Sequence, residues 1–249
     1  MERSLPPKKL KKDTIVEALF EIRFSSVALS EVVVGQLCNN PQWQGFEQVR
    51  LSAAEIPPRV RESDTNLRFQ PLIELKNKEL STNVRVGDSV ISIHRLVPYS
   101  GWDDFKEYIA STLSYLESTL NGLKYLRLGL RYVNLINRRA HSIASIEQLF
   151  LKLNVGSEDI TDNFHVVYHK AIDKDLSAQI RFATPSYLSG PKLPNETLCA
   201  IDIDMFTPSD FEINTSGKGI LDWLEVAHDH EKQIFFSFFS DRWLQEMKA

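Results

Sequence analysis

Tyr125-Leu-Arg-Leu-Gly-Leu-Arg-Tyr-Val-Asn-Leu-Ile-Asn137, at the midpoint of the chain, reads as a second copy of Thr14-Ile-Val-Glu-Ala-Leu-Phe-Glu-Ile-Arg-Phe24. In the later stretch Leu126, Leu128, Leu130 and Tyr132 alternate with Arg127, Gly129, Arg131 and Val133. In the earlier one Val16, Ala18, Phe20 and Ile22 alternate with Glu17, Leu19, Glu21 and Arg23. Successive side chains of a strand point to opposite sides, so a period of two marks a strand with one buried face. The two stretches lie 110 residues apart, and the same offset aligns Ile91-Ser-Ile-His-Arg-Leu-Val-Pro98 with Ile201-Asp-Ile-Asp-Met-Phe-Thr-Pro208.

Each of the latter blocks is a strand ended by a proline, then followed by a helical pattern, Asp103 to Leu120 and Gly219 to Phe238. Shorter helical segments are expected at Glu31 to Cys38, with Ser30 as N-cap, and at Ile146 to Leu153. Strands are expected over Leu67 to Leu75, Ser81 to Val86, Asn163 to Ala171 and Leu176 to Thr184. Trp43 to Pro58 has no clean period, and Pro185 to Glu196 reads as a surface loop.

The expected fold is therefore α+β: a tandem duplication of a β-α-β-β-β-α unit. It forms one curved, mainly antiparallel sheet with long helices on one face, like a TATA-box-binding or helix-grip saddle. Residues 1–13 would be an extended N-terminal arm, 14–122 the first repeat and 123–249 the second, together one compact domain. A pseudo-twofold axis would make 14–24 and 125–137 antiparallel neighbours at the centre. Facing positions would then total 148, setting Glu17 against Arg131 and Glu21 against Arg127.

The chain has 249 residues, 43% of them hydrophobic and 25% charged, an ordinary globular balance. No run of about 18 apolar residues exists to span a membrane. No apolar segment follows the lysines of Met1 to Asp13, so no signal peptide is expected. Cys38 and Cys199 sit in apolar patterns without a disulfide framework, which favours the cytoplasm. A net charge of −4 argues against a general nucleic-acid binder. A local basic groove at Lys8 to Lys12 stays open, although a solvated arm is the simpler reading.

No common nucleotide-binding, hydrolase or metalloprotease motif is present. Ser216-Gly-Lys-Gly219 reads as a helix-start turn rather than a phosphate loop. His165 and His169 flank a strand-like Val-Val-Tyr, where they would stand roughly 13 Å apart and share no ion. No metal site or cofactor is expected. The non-apolar side of the repeat strands gathers Glu17, Glu21, Arg23, Ser92, His94, Arg127, Arg131, Asp202 and Asp204. Such a face is either a salt-bridge network or an acid/base site. In the second case Glu17, Glu21, His94, Asp202 and Asp204 would process a nucleotide or phosphate ester with a divalent ion. Phe235, Phe236, Phe238, Phe239 and Trp243 are too many aromatic residues for one helix stripe, so the helix is either enclosed by both halves or offers an apolar patch, in which case Phe236, Phe239 and Trp243 are expected to bind a partner.

At Pro6-Pro7, Ile15 to Phe24, Gly101-Trp102 and Leu128-Gly-Leu-Arg-Tyr-Val-Asn134 the chain resembles a sporadically distributed, functionally uncharacterised bacterial family of about this length. The resemblance covers nearly the whole chain. It implies a bacterial cytoplasmic protein of the kind found in mobile or defence-associated gene clusters, and it carries over no catalytic residue. Two functions follow from the residues. One is a non-enzymatic binding or regulatory module that holds a protein partner, or a second copy, through Arg23, Arg127, Arg131 and the aromatic C-terminal helix. The other is the metal-dependent enzyme.

Overall fold

The computed structural model describes Pro7 and residues 9–188, 193–208 and 216–249. Pro6 and Lys8, which entered the readings of the arm, lie outside the described residues, as do positions 189–192 of the expected surface loop. The elements are β1 (Ile15–Ser25), α1 (Ser30–Cys38), β2 (Glu47–Arg50), α2 (Pro58–Ser63), β3 (Ile73–Asn77), β4 (Thr82–Val86), β5 (Val90–Leu96), α3 (Trp102–Thr119), β6 (Lys124–Asn137), β7 (Asn154–Val155), β8 (Glu158–Asp159), β9 (His165–Ala171), β10 (Ser177–Ala183), β11 (Thr197–Phe206), α4 (Gly217–Phe236) and α5 (Asp241–Met247). Among the described residues nine strands hydrogen-bond in the order β2-β3-β4-β5-β1-β6-β11-β10-β9, and β7 pairs with β8. The chain divides into two compact units. An amino-terminal unit comprises Glu17–Leu130 and Phe206–Glu225; a carboxy-terminal unit comprises Met1–Val16, Arg131–Met205 and Val226–Ala249.

In the amino-terminal unit the alternation of β1 becomes burial: Ala18, Phe20, Ile22 and Phe24 are buried while Glu17, Leu19, Glu21 and Arg23 stay half-exposed. Antiparallel pairing sets Phe20 opposite Ile93 and Ile22 opposite Ile91, so the apolar rows of β1 and β5 coincide. The stripe Phe105, Ile109, Leu113 and Leu116 of α3 is buried, at the spacing of one helix face. Arg95, in register with Ala18, fixes which sheet face α3 covers. It reaches Asp104 at 3.0 Å and lies 4.3 Å over the Tyr108 ring. Truncating a ring as enclosed as Phe105 costs roughly 3–5 kcal/mol. Gly122 turns the chain just past the helix end: it has φ +63°, and a Cβ there would meet Val27 Cγ1 at 2.8 Å.

β1 and β6 run antiparallel within this unit. Val27 N–H donates to the Asn121 carbonyl at 3.2 Å, and Arg127 Nη1 donates to Glu21 Oε1 at 3.1 Å. Both pairs of positions total 148, whereas Leu135 N–H donates to the Thr14 carbonyl at 2.8 Å, a total of 149.

In the carboxy-terminal unit the buried rows are Tyr132 and Ile136 on β6, Ile201 and Ile203 on β11, and Ile180 and Phe182 on β10. Tyr132 meets His228 of α4 at a ring separation of 5.7 Å, and Phe182 meets Phe238 edge-on at 4.7 Å. Residues 9–11 run beside residues 247–249. Leu10 bridges Lys248, and Lys11 N–H donates to the Met247 carbonyl at 2.8 Å.

Several local expectations are corrected. Only Ile146–Gln148 forms a helical turn, closed by a Ser145–Gln148 capping box, because Phe150 N–H donates instead to the Phe238 carbonyl at 2.8 Å. Leu67 to Leu72 is not strand. The Asp64 carbonyl accepts from Leu67 and Arg68 N–H and its side chain from Asn66 N–H, which winds a turn that delays β3 to Ile73. β2 lies within the stretch that showed no period. Ser30 is the first residue of α1, not its cap, and its hydroxyl donates to Asp88 Oδ2 at 2.6 Å.

Candidate functional site

Register builds the polar face of the amino-terminal unit. Glu74 lies opposite Arg85, Arg85 opposite Ser92, and Ser92 opposite Glu21, to which Arg127 is bonded. Along one row an acid–base pair therefore stands on either side of Ser92. Glu74 Oε1 accepts from Arg85 Nε at 2.9 Å, and its Oε2 from Lys76 Nζ at 2.9 Å. Burial alone would raise the Glu74 carboxyl, but the hydrogen bonds and charges of Lys76 and Arg85 outweigh it and hold the group below the usual carboxylate range. Glu21 Oε1 accepts from Arg23 Nε at 2.8 Å as well as from Arg127, and the Arg23 guanidinium sits 4.8 Å over the Phe69 ring.

One row over, His94 Nδ1 lies 2.6 Å from Glu17 Oε1 and its Nε2 lies 2.9 Å from Ser92 Oγ. Hydroxyl, imidazole and carboxylate in that order are the connectivity of an acyl-transfer relay. The remaining requirements are not met. Ser92 is only 6% exposed. β5 is an inner strand, paired on both sides at Ser92, so its amides serve the sheet and form no oxyanion hole. The relay instead fixes the buried His94 and orients Glu17.

In the carboxy-terminal unit Arg131 grips Asp202 with two parallel bonds, Nε to Oδ1 and Nη2 to Oδ2, both 2.7 Å. This fork is the strong geometry for a guanidinium and a carboxylate. Arg181 Nη1 stands 3.7 Å from Asp202 Oδ2, and its Nε donates to Gln179 Oε1 at 2.7 Å. Gln179 Nε2 lies 3.0 Å from His169 Nε2, continuing the chain of polar groups to β9. Asp204 follows two residues along β11, half-buried.

Of the residues expected to act, Glu17 and His94 therefore meet each other, Glu21 meets Arg23 and Arg127, and Asp202 meets Arg131. Glu74, Lys76, Arg85, Gln179 and Arg181 escaped sequence reasoning because cross-strand register is invisible to periodicity. Among the described residues no three His, Cys, Asp or Glu side chains gather as a metal-binding group. His165 and His169 lie on a strand as expected, and His165 stacks on Tyr187 at 6.1 Å. At the start of α4 the Gly217 N–H donates to Glu117 Oε1 at 2.6 Å, so a carboxylate of the chain itself occupies the helix end. The amino-terminal unit also holds a polar pocket of about 320 Å³, lined in part by Ser25, Ser26, Ser30, Ser89, Arg68 and Asp88.

Of the two arrangements expected for the aromatic segment, burial favours enclosure over an open patch. Helix α4 stops at Phe236, and Ser240 caps α5 by accepting from Trp243 N–H. The break turns the rings inward. Phe239 is 2% exposed and Trp243 8%, stacked at 4.1 Å, and Trp243 Nε1 donates to the His141 carbonyl at 2.7 Å. Of Phe236, Phe239 and Trp243, only Phe236 stays half-buried.

No family model matches the chain, and no curated protein matches it. No described helix is long and apolar enough to cross a membrane.

Proposed function

We propose that the chain is a non-enzymatic binding or regulatory module that holds a protein partner on the charged sheet face of its amino-terminal unit, with Arg23 and Arg127 among the contacting groups, and that Arg131 is the corresponding contact group of the carboxy-terminal unit. The observation that carries this reading is the state of the acidic side chains. Glu21 is held by two arginines, Asp202 by a bidentate arginine with a second nearby, and Glu17 is bonded to His94. A carboxylate engaged in this way ligates a divalent ion or takes a proton only after breaking charge-assisted hydrogen bonds. The metal-dependent phosphate-ester reading is correspondingly weakened, since Glu17, Glu21, His94, Asp202 and Asp204 do not form a ligand set. Guanidinium groups fixed by their own counter-ions lose little freedom on meeting a partner, which favours recognition.

The same proposal takes the chain as a tandem duplication with a saddle-like sheet, in a bacterial cytoplasmic family of patchy occurrence and defence-associated or mobile gene context. The strand order supports the duplication. At the 110-residue offset β1 corresponds to β6 and β5 to β11, and the run β3-β4-β5-β1 is answered in reverse by β6-β11-β10-β9. The segment between β6 and β9 departs from the repeat, with a short helical turn and the β7-β8 hairpin where the first unit has α1.

The test is site-specific photo-crosslinking in cells that encode the protein, with the reactive group at Asn83 on the charged face or at Glu107 on α3. Position 83 is expected to capture one protein species, and Arg85→Gln with Arg127→Gln to abolish capture while the melting temperature shows the fold intact. Capture from position 107 alone would refute the assignment of the face. Turnover of a phosphate ester that needs a divalent ion and disappears in Asp202→Asn would refute the non-enzymatic reading.

A further inference from the structure

β9 ends the order of the sheet, and among the described residues no strand pairs with its outer edge. Six of its seven residues are exposed, Val167 at 43% and Tyr168 at 39% among them. The hydrogen bonds at its two ends show which backbone groups face out. Thr184 N–H donates to the Phe164 carbonyl at 3.1 Å, and Ile172 N–H to the Leu176 carbonyl at 3.0 Å. Both pairs belong to the β9-β10 register, so the even-numbered residues of β9 bond to β10. In an antiparallel ladder the intervening residues turn their amides the other way. The N–H and C=O groups of His165, Val167, His169 and Ala171 therefore point away from the sheet.

Exposed edges are ordinarily blunted by shortness, charge, proline or a bulge. The opposite end of the order, β2, is four residues long, and its Glu47 and Arg50 are exposed. β9 has seven residues, no proline, no glycine and one lysine.

We propose that β9 pairs antiparallel with β9 of a second copy of this chain about a twofold axis through Tyr168. This register places His165 against Ala171 and Val167 against His169, so all four outward-facing residues of each copy are bonded. Axes through Val167 or His169 each leave one outward residue beyond the partner strand. Charge agrees. Lys170 meets Val166 rather than another lysine, and Asp162 and Lys174, which flank the strand symmetrically about Tyr168, are opposite in sign. Val167 on one side of the ribbon and Tyr168 on the other give the pairing an apolar component.

The experiment is sedimentation velocity on the full-length protein from about 1 to 200 μM, the range of a modest strand-pairing interface. A monomer–dimer equilibrium is expected. Val167→Pro removes an outward N–H that β10 does not use, so it should weaken dimerisation at least tenfold while the melting curve shows an intact fold. Tyr168→Cys supplies the second readout, because residues facing across the axis in a non-hydrogen-bonded pair stand about 4.5 Å apart at Cα. It should form an intermolecular disulfide on mild oxidation, whereas Ala171→Cys and the wild type, with Cys199 buried and Cys38 half-buried, should not. The proposal is overturned by any one of four outcomes: a monomer across the whole range; a dimer indifferent to Val167→Pro; Tyr168→Cys that fails to cross-link; or an edge that pairs only with an added heterologous peptide.

Discussion

Glu74 in the amino-terminal unit and Glu231 in the carboxy-terminal unit are almost equally withdrawn from water, at 6% and 5% exposure. Their carboxyls nevertheless shift in opposite directions. Glu74 is bonded to Lys76 and Arg85 and held low. Glu231 lies on α4 with Lys232 as the cation acting on it, and burial pushes its carboxyl up to about 8. Burial thus raises a carboxyl wherever nothing opposes it, and on the sheet face the opposing cations are built into the register. That contrast separates an acid kept as a counter-charge from one kept neutral.

The largest effect is expected at Glu231. A carboxyl whose folded pKa exceeds its unfolded value adds stability that is complete below the unfolded value, near 4.5, and is lost as pH rises through about 8. Glu231→Gln should remove this dependence and stabilise the protein at pH 9 by up to roughly 4 kcal/mol. Urea unfolding at pH 5 and pH 9 measures it, and an unchanged difference between the two would mean that Glu231 has a counter-charge after all.

Glu74 should behave in reverse and more weakly. Its lowered carboxyl adds stability above its unfolded pKa that is lost as pH falls through the folded value. Glu74→Gln should cost about 1–2 kcal/mol at pH 7, limited because Lys76 and Arg85 are partly solvated, and the deficit should vanish in acid. A deficit that persists in acid would point to lost packing instead.

The smallest effect belongs to Glu21 and Arg127, both about a quarter exposed. Reversing either charge should destabilise the fold, and reversing both should recover about 0.5–1 kcal/mol of coupling in a double-mutant cycle. Additive losses would show that the pair stands together without interacting.

The strands that carry these pairs were legible because one face is buried. Val16 to Phe24 and Leu128 to Tyr132 alternate in large part, and the exchange of glutamate for arginine between them anticipated the pairing of Glu21 with Arg127. β2 was not legible, since Glu47-Gln-Val-Arg50 lies at an edge and carries no period. The aromatic segment could be read as enclosed or open because its periodicity was taken over one unbroken helix. Ser240, a strong capping residue, marks the break that turns Phe239 and Trp243 inward. Half of each ion-pair network was hidden for a different reason: Arg85 and Arg181 reach their partners through pairings that no local pattern specifies.

The central claim is that the acidic groups of the sheet face serve arginine and histidine rather than a metal. Calorimetric titration of the full-length protein with Mn²⁺ at low ionic strength tests it most directly. No saturable binding is expected up to about 1 mM, the weak end of protein carboxylate sites. A saturable site that disappears in Glu21→Gln or Asp202→Asn would contradict the claim.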